Sequence, residues 1–195
     1  MANRKKGGLF RAALALIVLA GLILAYATVF QPWAQRQRYA IHYEQQIAHY
    51  AQKNGLDPYL VCAMIFCESS FKSDARSSVG ALGLMQIMPE TGAWLAHKVG
   101  IDDFDASMLY DPQVNMELGC WYLAFLLDRY AGDRQCAVAA YHGGQGNMDG
   151  WLQDPSISAD GKTLDNIPEG ETKKYTNRVL KVYEIYQQLY PDRFQ

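Results

Sequence analysis

No acidic residue occurs before Glu44, no pair of cysteines has C-x-x-C spacing, and the four histidines form no close pair. His42 and His49 would share a helical face but stand two turns apart, too far to chelate one ion, so neither a metal site nor an organic cofactor is expected. Segments of alternating apolar and polar residues, internal repeats and low-complexity tracts are also missing. This removes sheet, solenoid and disordered classes and leaves an all-α reading. A basic excess is lacking where it would matter. Six of the 18 basic residues lie at or before Arg38, which leaves 12 basic against 20 acidic residues beyond it, a net of −8. Such a balance argues against holding nucleic acid or another polyanion by bulk charge, so any polymer must be gripped locally, in a groove.

What the N-terminus does have is an uncharged apolar run over residues 12–30, preceded by Arg4, Lys5, Lys6 and Arg11. A run of about 20 apolar residues matches a bilayer core, and the basic flank predicts a cytoplasmic N-terminus with the rest exported. A cleavable signal peptide is the rival, since Ala25-Tyr26-Ala27 has the small-x-small form of a cleavage site. The apolar run continues past it to Phe30, and Trp33 then stands where an interfacial anchor would. The expected organisation is a cytoplasmic segment 1–11, a single transmembrane anchor 12–30, a linker 31–40 and one domain 41–195 outside the cytoplasm, at the cell membrane. About 155 residues suit one core.

Four cysteines in an exported domain admit two readings. Cys62 and Cys67, five apart on one helix, are about 7.5 Å apart in rise and cannot pair with each other. Either each bridges to Cys120 or Cys136, or all four are thiols packed as small hydrophobes.

Short helices separated by Gly, Pro and Asp account for the domain. Helical spacing joins Tyr39, Tyr43, Ile47, Tyr50 and Ala51, closed by Asn54-Gly55. Asp57-Pro58 and Asp111-Pro112 each read as an N-cap followed by proline in the first turn. They open one helix ending near Glu68 and another reaching about Ala131, with Gly132 as its stop. Further helices are expected over 89–99, 134–141 and about 172–190, and a long loop over 149–170.

Glu68 closes the apolar run Val61-Cys62-Ala63-Met64-Ile65-Phe66-Cys67. On a helix, Val61, Met64 and Ile65 share its face, so the carboxyl points where apolar side chains point. Desolvation there raises its pKa, and the nearby helix C-terminus adds to the effect. A carboxyl that stays protonated near neutral pH is what a general acid requires. A structural glutamate with a buried partner is the alternative. Asp74, Glu90 and Glu171 lie in polar stretches, so only one acid has the apolar context. That suits a reaction whose substrate supplies its own nucleophile, since most glycoside hydrolases need two carboxylates.

Three other segments bear on a groove. In Ser77-Ser78-Val79-Gly80-Ala81-Leu82-Gly83-Leu84-Met85-Gln86 the glycines suggest close backbone approach. The Gln86 amide either meets sugar hydroxyls or satisfies loop backbone. Ala140-Tyr141-His142-Gly143-Gly144-Gln145-Gly146-Asn147 places a phenol at a helix end before a glycine-rich turn, either as a hydrogen-bond donor or as a cap on the core. No strand precedes this turn and no Lys-Ser/Thr follows, which excludes a phosphate loop. Glu171 opens the last helix, as an N-terminal carboxylate or as part of a cleft.

Four ordered motifs are Glu68-Ser69-Ser70-Phe71, Gly80-Ala81-Leu82-Gly83-Leu84-Met85-Gln86-Ile87-Met88-Pro89, Ala140-Tyr141, and Ile167-Pro168 with Glu171-Thr172 and Tyr175. Together they make roughly residues 41–190 resemble the family 1 lytic transglycosylases, bacterial SLT-domain enzymes with a goose-type-lysozyme-like helical fold. The resemblance implies peptidoglycan glycan strands as substrate and Glu68 as the catalytic residue. Glu68 would act as acid on the bond between N-acetylmuramic acid and N-acetylglucosamine, then as base on the muramic C6 hydroxyl, leaving 1,6-anhydromuramoyl ends. It also implies that Ser77, Gln86 and Met88 touch sugars, that Tyr141 positions Glu68 or an N-acetyl group, and that Glu171 lines the cleft. The chain departs from the family's usual Ala-Tyr-Asn-Ala-Gly at His142 and Gly143. A muramidase on the same fold and a non-catalytic wall-binding scaffold are the competing readings.

Overall fold

A computed structural model describes residue 14 and residues 16–194. The expected cytoplasmic segment 1–11, with its four basic residues, and the start of the apolar run lie outside the described residues. Contacts divide the chain after Ala40 into two compact units.

The first unit contains one helix, α1 (Leu16–Arg38), whose apolar part has a mean hydropathy of 1.8 and no buried residue. Its middle, Tyr26–Phe30, is wound as a π-helix that closes with Gln31 N–H donating to the Tyr26 carbonyl. Pro32 follows at once. Proline cannot donate, and its ring crowds the carbonyl four residues back, so a wider turn at this place relieves both problems. Tyr26 stacks on Phe30 with centroids 5.5 Å apart, and Phe30 meets Trp33 at 5.8 Å.

The second unit is built of helices; among the described residues no strand forms, only isolated bridges joining Arg76 to Leu82 and Leu82 to Ile87. In chain order the helices are α2 (Glu44–Lys53), α3 (Pro58–Ser69), α4 (Pro89–Val99), α5 (Pro112–Arg129), α6 (Arg134–Gly143), α7 (Gln145–Gln153) and α8 (Glu171–Leu189), with a short 3-10 turn at Ala106–Tyr110. The capping logic holds in atomic detail. Asp57 Oδ1 accepts from Tyr59 N at 2.9 Å, and Asp111 Oδ1 accepts from Gln113 N at 2.7 Å.

Helix α3 is apolar all round and correspondingly central: Leu60 through Ile65 are buried without a break. It packs on α2 and most extensively on α8, whose buried stripe is Thr176, Val179, Val182, Tyr183 and Tyr186. Tyr183 Oη donates to Asp57 Oδ2 at 2.6 Å, so the carboxylate that caps α3 also ties α8 to it. All four cysteines are free, and Cys62, Cys120 and Cys136 are buried. They are the small hydrophobes of the second reading, with thiols pushed up by burial, to about 12 for Cys67 and Cys136.

Three expectations need correction. Tyr39 and Tyr43 do not belong to α2. Tyr43 is left-handed (φ 58°) and acts as its N-cap, so the helix starts at Glu44, while Ile47 and Ala51 are buried as their spacing predicted. The loop expected over 149–170 begins only at Asp154, because α7 occupies Gln145–Gln153. Gly146 and Gly150 hide that helix from a propensity reading. It forms because burial of Met148 outweighs them. Helix α5 likewise stops at Arg129, two residues short of the expected end, with Ala131 and Gly132 both at positive φ.

Candidate active site

Glu68 stands one residue before the end of α3, which terminates through two successive left-handed residues, Ser70 (φ 52°) and Phe71 (φ 62°). For non-glycine residues this conformation costs about 1 kcal/mol or more each, and such strain concentrates where a site dictates the chain path. The Glu68 side chain is half-buried. Tyr175 of α8 donates to Glu68 Oε1 at 2.5 Å, and the same phenol oxygen lies 3.6 Å from Met64 Sδ. One tyrosine therefore spans positions i and i+4 of α3, the face on which the spacing placed the carboxyl. Burial raises the Glu68 pKa to about 7; the Tyr175 hydrogen bond and the charge of Arg178 oppose that rise without cancelling it. The carboxyl is poised to hold a proton near neutral pH.

The segment from Ser77 to Met88 is held by Asn115, which is fully buried on α5. Its Nδ2 donates to the carbonyls of Leu82 (3.0 Å) and Leu109 (2.8 Å), and its Oδ1 accepts from Met85 N at 2.7 Å. Gly83 is required there: φ is +76°, and a Cβ would run into the Leu109 carbonyl and the Asn115 amide. Gln86, also left-handed at φ 49°, turns its amide inward and donates to the carbonyls of Gly83 (2.8 Å) and Ala75 (3.2 Å). The structural alternative for that NH₂ group is thus realised, while the residue still lines the cleft.

That cleft, of about 290 Å³, is lined by Gln86, Ile87, Met88, Thr91, Tyr122, Tyr141, His142, Gly143 and Gly144. Of the residues singled out from sequence, Gln86, Met88 and Tyr141 meet here. Tyr141 Oη donates to the Met85 carbonyl at 2.9 Å, so it braces the Gln86 segment, and the neighbouring Glu68 charge helps burial push its pKa well up. Ser77 sits apart from the cleft lining and closes a turn, its Oγ accepting from Ala81 N at 2.9 Å. Glu171 is exposed at the start of α8 and paired with Lys174 at 2.7 Å. Its charge is nonetheless felt by His142.

Glu68 is not among the residues that line this cleft; a chain of contacts links it to them. His142 lines the cleft, its ring stacks on Tyr175 with centroids 4.5 Å apart, and Tyr175 holds Glu68. Tyr175 enters the sequence reading only as part of the fourth motif, with no role of its own, and the structure puts its phenol on Glu68. Its signal is a phenol one turn into the last helix, on the stripe that faces α3.

Comparison with known proteins places the domain in a family. The family profile described as Transglycosylase SLT domain matches residues 45–163. The soluble lytic murein transglycosylase of Salmonella typhimurium is 30% identical over 152 residues, covering 77% of this chain and 23% of the relative. The membrane-bound lytic murein transglycosylase C of Actinobacillus pleuropneumoniae is 34% identical over 105 residues, covering 49% of this chain and 29% of the relative. The crystal structure of an inactive glutamate-to-glutamine mutant of the lytic transglycosylase Slt from Pseudomonas aeruginosa superimposes with a TM-score of 0.70 at 35% identity, covering 78% of this chain and 25% of that one. The chain spans about a quarter of the length of the curated relatives it matches first. The matched residues contain the end of α3, the Gln86 segment and the Tyr141 helix, and the chain belongs to the transglycosylase SLT domain family.

Proposed function

We propose that this chain is a peptidoglycan lytic transglycosylase that uses Glu68 as its single acid and base. The observation that carries this reading is a lone half-buried carboxyl with a pKa of about 7, held by a phenol beside a cleft. Protonated Glu68 gives its proton to the glycosidic oxygen between N-acetylmuramic acid and N-acetylglucosamine as the C1–O bond breaks. The resulting carboxylate takes the proton of the muramic C6 hydroxyl, whose oxygen closes on C1. Glu68 ends protonated, no water is consumed, and the product carries a 1,6-anhydromuramoyl end. An intramolecular hydroxyl has an effective molarity of about 10⁵ M or more, so no second protein carboxylate is needed to activate water. Glu171 points the same way: exposed and paired with Lys174, it is held below the usual carboxylate range and suits a rim better than a base.

Gln86, Met88 and Tyr141 are assigned to contact and orient the glycan, Ser77 to the approach of the strand, and Glu171 to the cleft rim. The inactive glutamate-to-glutamine form of the Pseudomonas relative supports an essential glutamate in this family. The exposed apolar helix α1, with membrane-bound lytic transglycosylases among the relatives, supports a single-pass anchor with the domain facing the cell wall.

Product analysis tests the reaction. Purified wall digested by the detergent-solubilised full chain should release muropeptides with anhydro ends by mass spectrometry. Reducing ends would assign a muramidase instead, and undigested wall a binding scaffold. Glu68→Gln, which removes the proton at constant volume, should lower the rate by a factor of about 10² to 10⁴.

A further inference from the structure

His142 and Gly143 are the two positions at which the chain departs from Ala-Tyr-Asn-Ala-Gly, and the structure ties them together. The His142 ring lies over Tyr175 at 4.5 Å and 26°, and its Nδ1 is 3.0 Å from Thr172 Oγ1. A Cβ on Gly143 would stand 3.1 Å from that Oγ1 and 3.2 Å from the Thr172 methyl, tighter than ordinary contact. Glycine at 143 therefore leaves room for the threonine that tethers the imidazole. His142 is exposed, while its ring stacks on Tyr175, the donor to Glu68.

We propose that His142 is a positioning residue for the acid: tethered by Thr172, it clamps the Tyr175 ring against Glu68 and couples its own protonation to that of the carboxyl through the shared phenol. This rests on the reading of Glu68 as the acid. An aromatic pair of this kind is worth enough to hold a phenol that would otherwise rotate about two side-chain bonds. The coupling has a definite sign. An imidazolium over the phenol strengthens its donation and favours the Glu68 carboxylate, so charging His142 opposes holding the proton. The charged and titratable groups facing this trio are Glu171, with its partner Lys174, and Arg178 from α8, Cys67 from α3 and Tyr141 from α6, itself influenced by Tyr122 and Cys120 of α5. Burial lowers the His142 pKa from its ordinary value, and Glu171 opposes this. As pH falls, Glu68 thus takes its proton first, and a neutral His142 beside a protonated Glu68 is the dominant state in the interval that follows.

The test reads the carboxyl itself. In the full chain, ¹³C NMR of the Glu68 carboxyl should show a main titration step near pH 7 and a smaller step coincident with titration of the His142 ring. His142→Phe keeps an aromatic ring over Tyr175 and removes the charge, so the smaller step should vanish. His142→Ala should lower kcat about three- to tenfold with KM within about twofold. Gly143→Ala, by crowding Thr172, should give a smaller loss of the same kind. Wild-type kcat in His142→Ala overturns the clamp, and a single-step Glu68 curve in the native protein overturns the coupling. The native titration requires neither a mutant nor a substrate. It therefore stands even if Glu68→Gln stays active, a result that would remove the proposed reaction but leave the coupling decided.

Discussion

Helices α1 and α3 are both apolar enough to be mistaken for each other over a short window, yet one has no buried residue and the other is the most buried helix of its unit. Length separates them. The 23 residues of α1 reach about 34 Å, a bilayer's thickness, whereas the 12 of α3 reach about 18 Å, which a small domain can enclose. Their interruptions differ as well. The apolar run of α1 holds no carboxylate, while α3 carries Glu68 where its neighbours' apolar side chains end. An apolar helix that keeps one ionisable group invests folding energy in a shifted pKa.

The comparison breaks first at Glu68. The Glu68→Gln variant should lose wall lysis by a factor of about 10² to 10⁴ while its circular dichroism stays native, the largest effect expected anywhere in the chain. Next in size is a truncation in each helix. Ile65→Ala in α3 should cost about 2–5 kcal/mol in chemical denaturation, since Ile65 is fully enclosed. Leu19→Ala, at a position 53% exposed on α1, should leave that unfolding transition where it was. Equal losses from the two would mean that α1 is packed like a core helix.

Much of this contrast was legible in the sequence because it rests on local rules. The Asp-Pro caps and the apolar surround of Glu68 each act within a turn or two of their own residue. What was not legible depends on partners distant in the chain. Tyr175 lies 107 residues from the carboxyl it holds, and Asn115 lies 30 from the Met85 amide. Gln86 shows the limit from the other side. Its polar character was plain, but whether the amide faced sugar or loop depended on a left-handed backbone that no spacing rule reports. Helix α7 was hidden for a different reason, since glycine propensity argued against it and only the burial of Met148 decides in its favour.

A smaller effect follows from the energy stored at Glu68. Its folded pKa of about 7 lies above the 4.5 of an ordinary glutamate, so between those values the folded state binds more protons than the unfolded one. The group's share of stability is fully present below about pH 4.5 and is lost as pH rises through 7. Glu68→Gln should therefore unfold at nearly the native temperature at pH 4.5 and be the more stable form at pH 8, by about 1–3 kcal/mol. Calorimetry at the two pH values checks this, and a gap that does not widen with pH would mean the carboxyl is better solvated than its surroundings indicate.

The finest test separates the two forces on that carboxyl. Tyr175→Phe removes the hydrogen bond that lowers the Glu68 pKa and leaves the burial that raises it, so the midpoint should move above 7. The alkaline limb of the pH–rate profile should move up with it. Turnover should fall nonetheless, by about three- to tenfold, because the hydroxyl no longer fixes Oε1 and the proton on Oε2 is less well aimed. Burial and hydrogen bonding thus predict opposite signs in two readouts of one substitution. A midpoint that moved down instead would mean that water had entered beside Glu68 and that Tyr175 had served chiefly to exclude it.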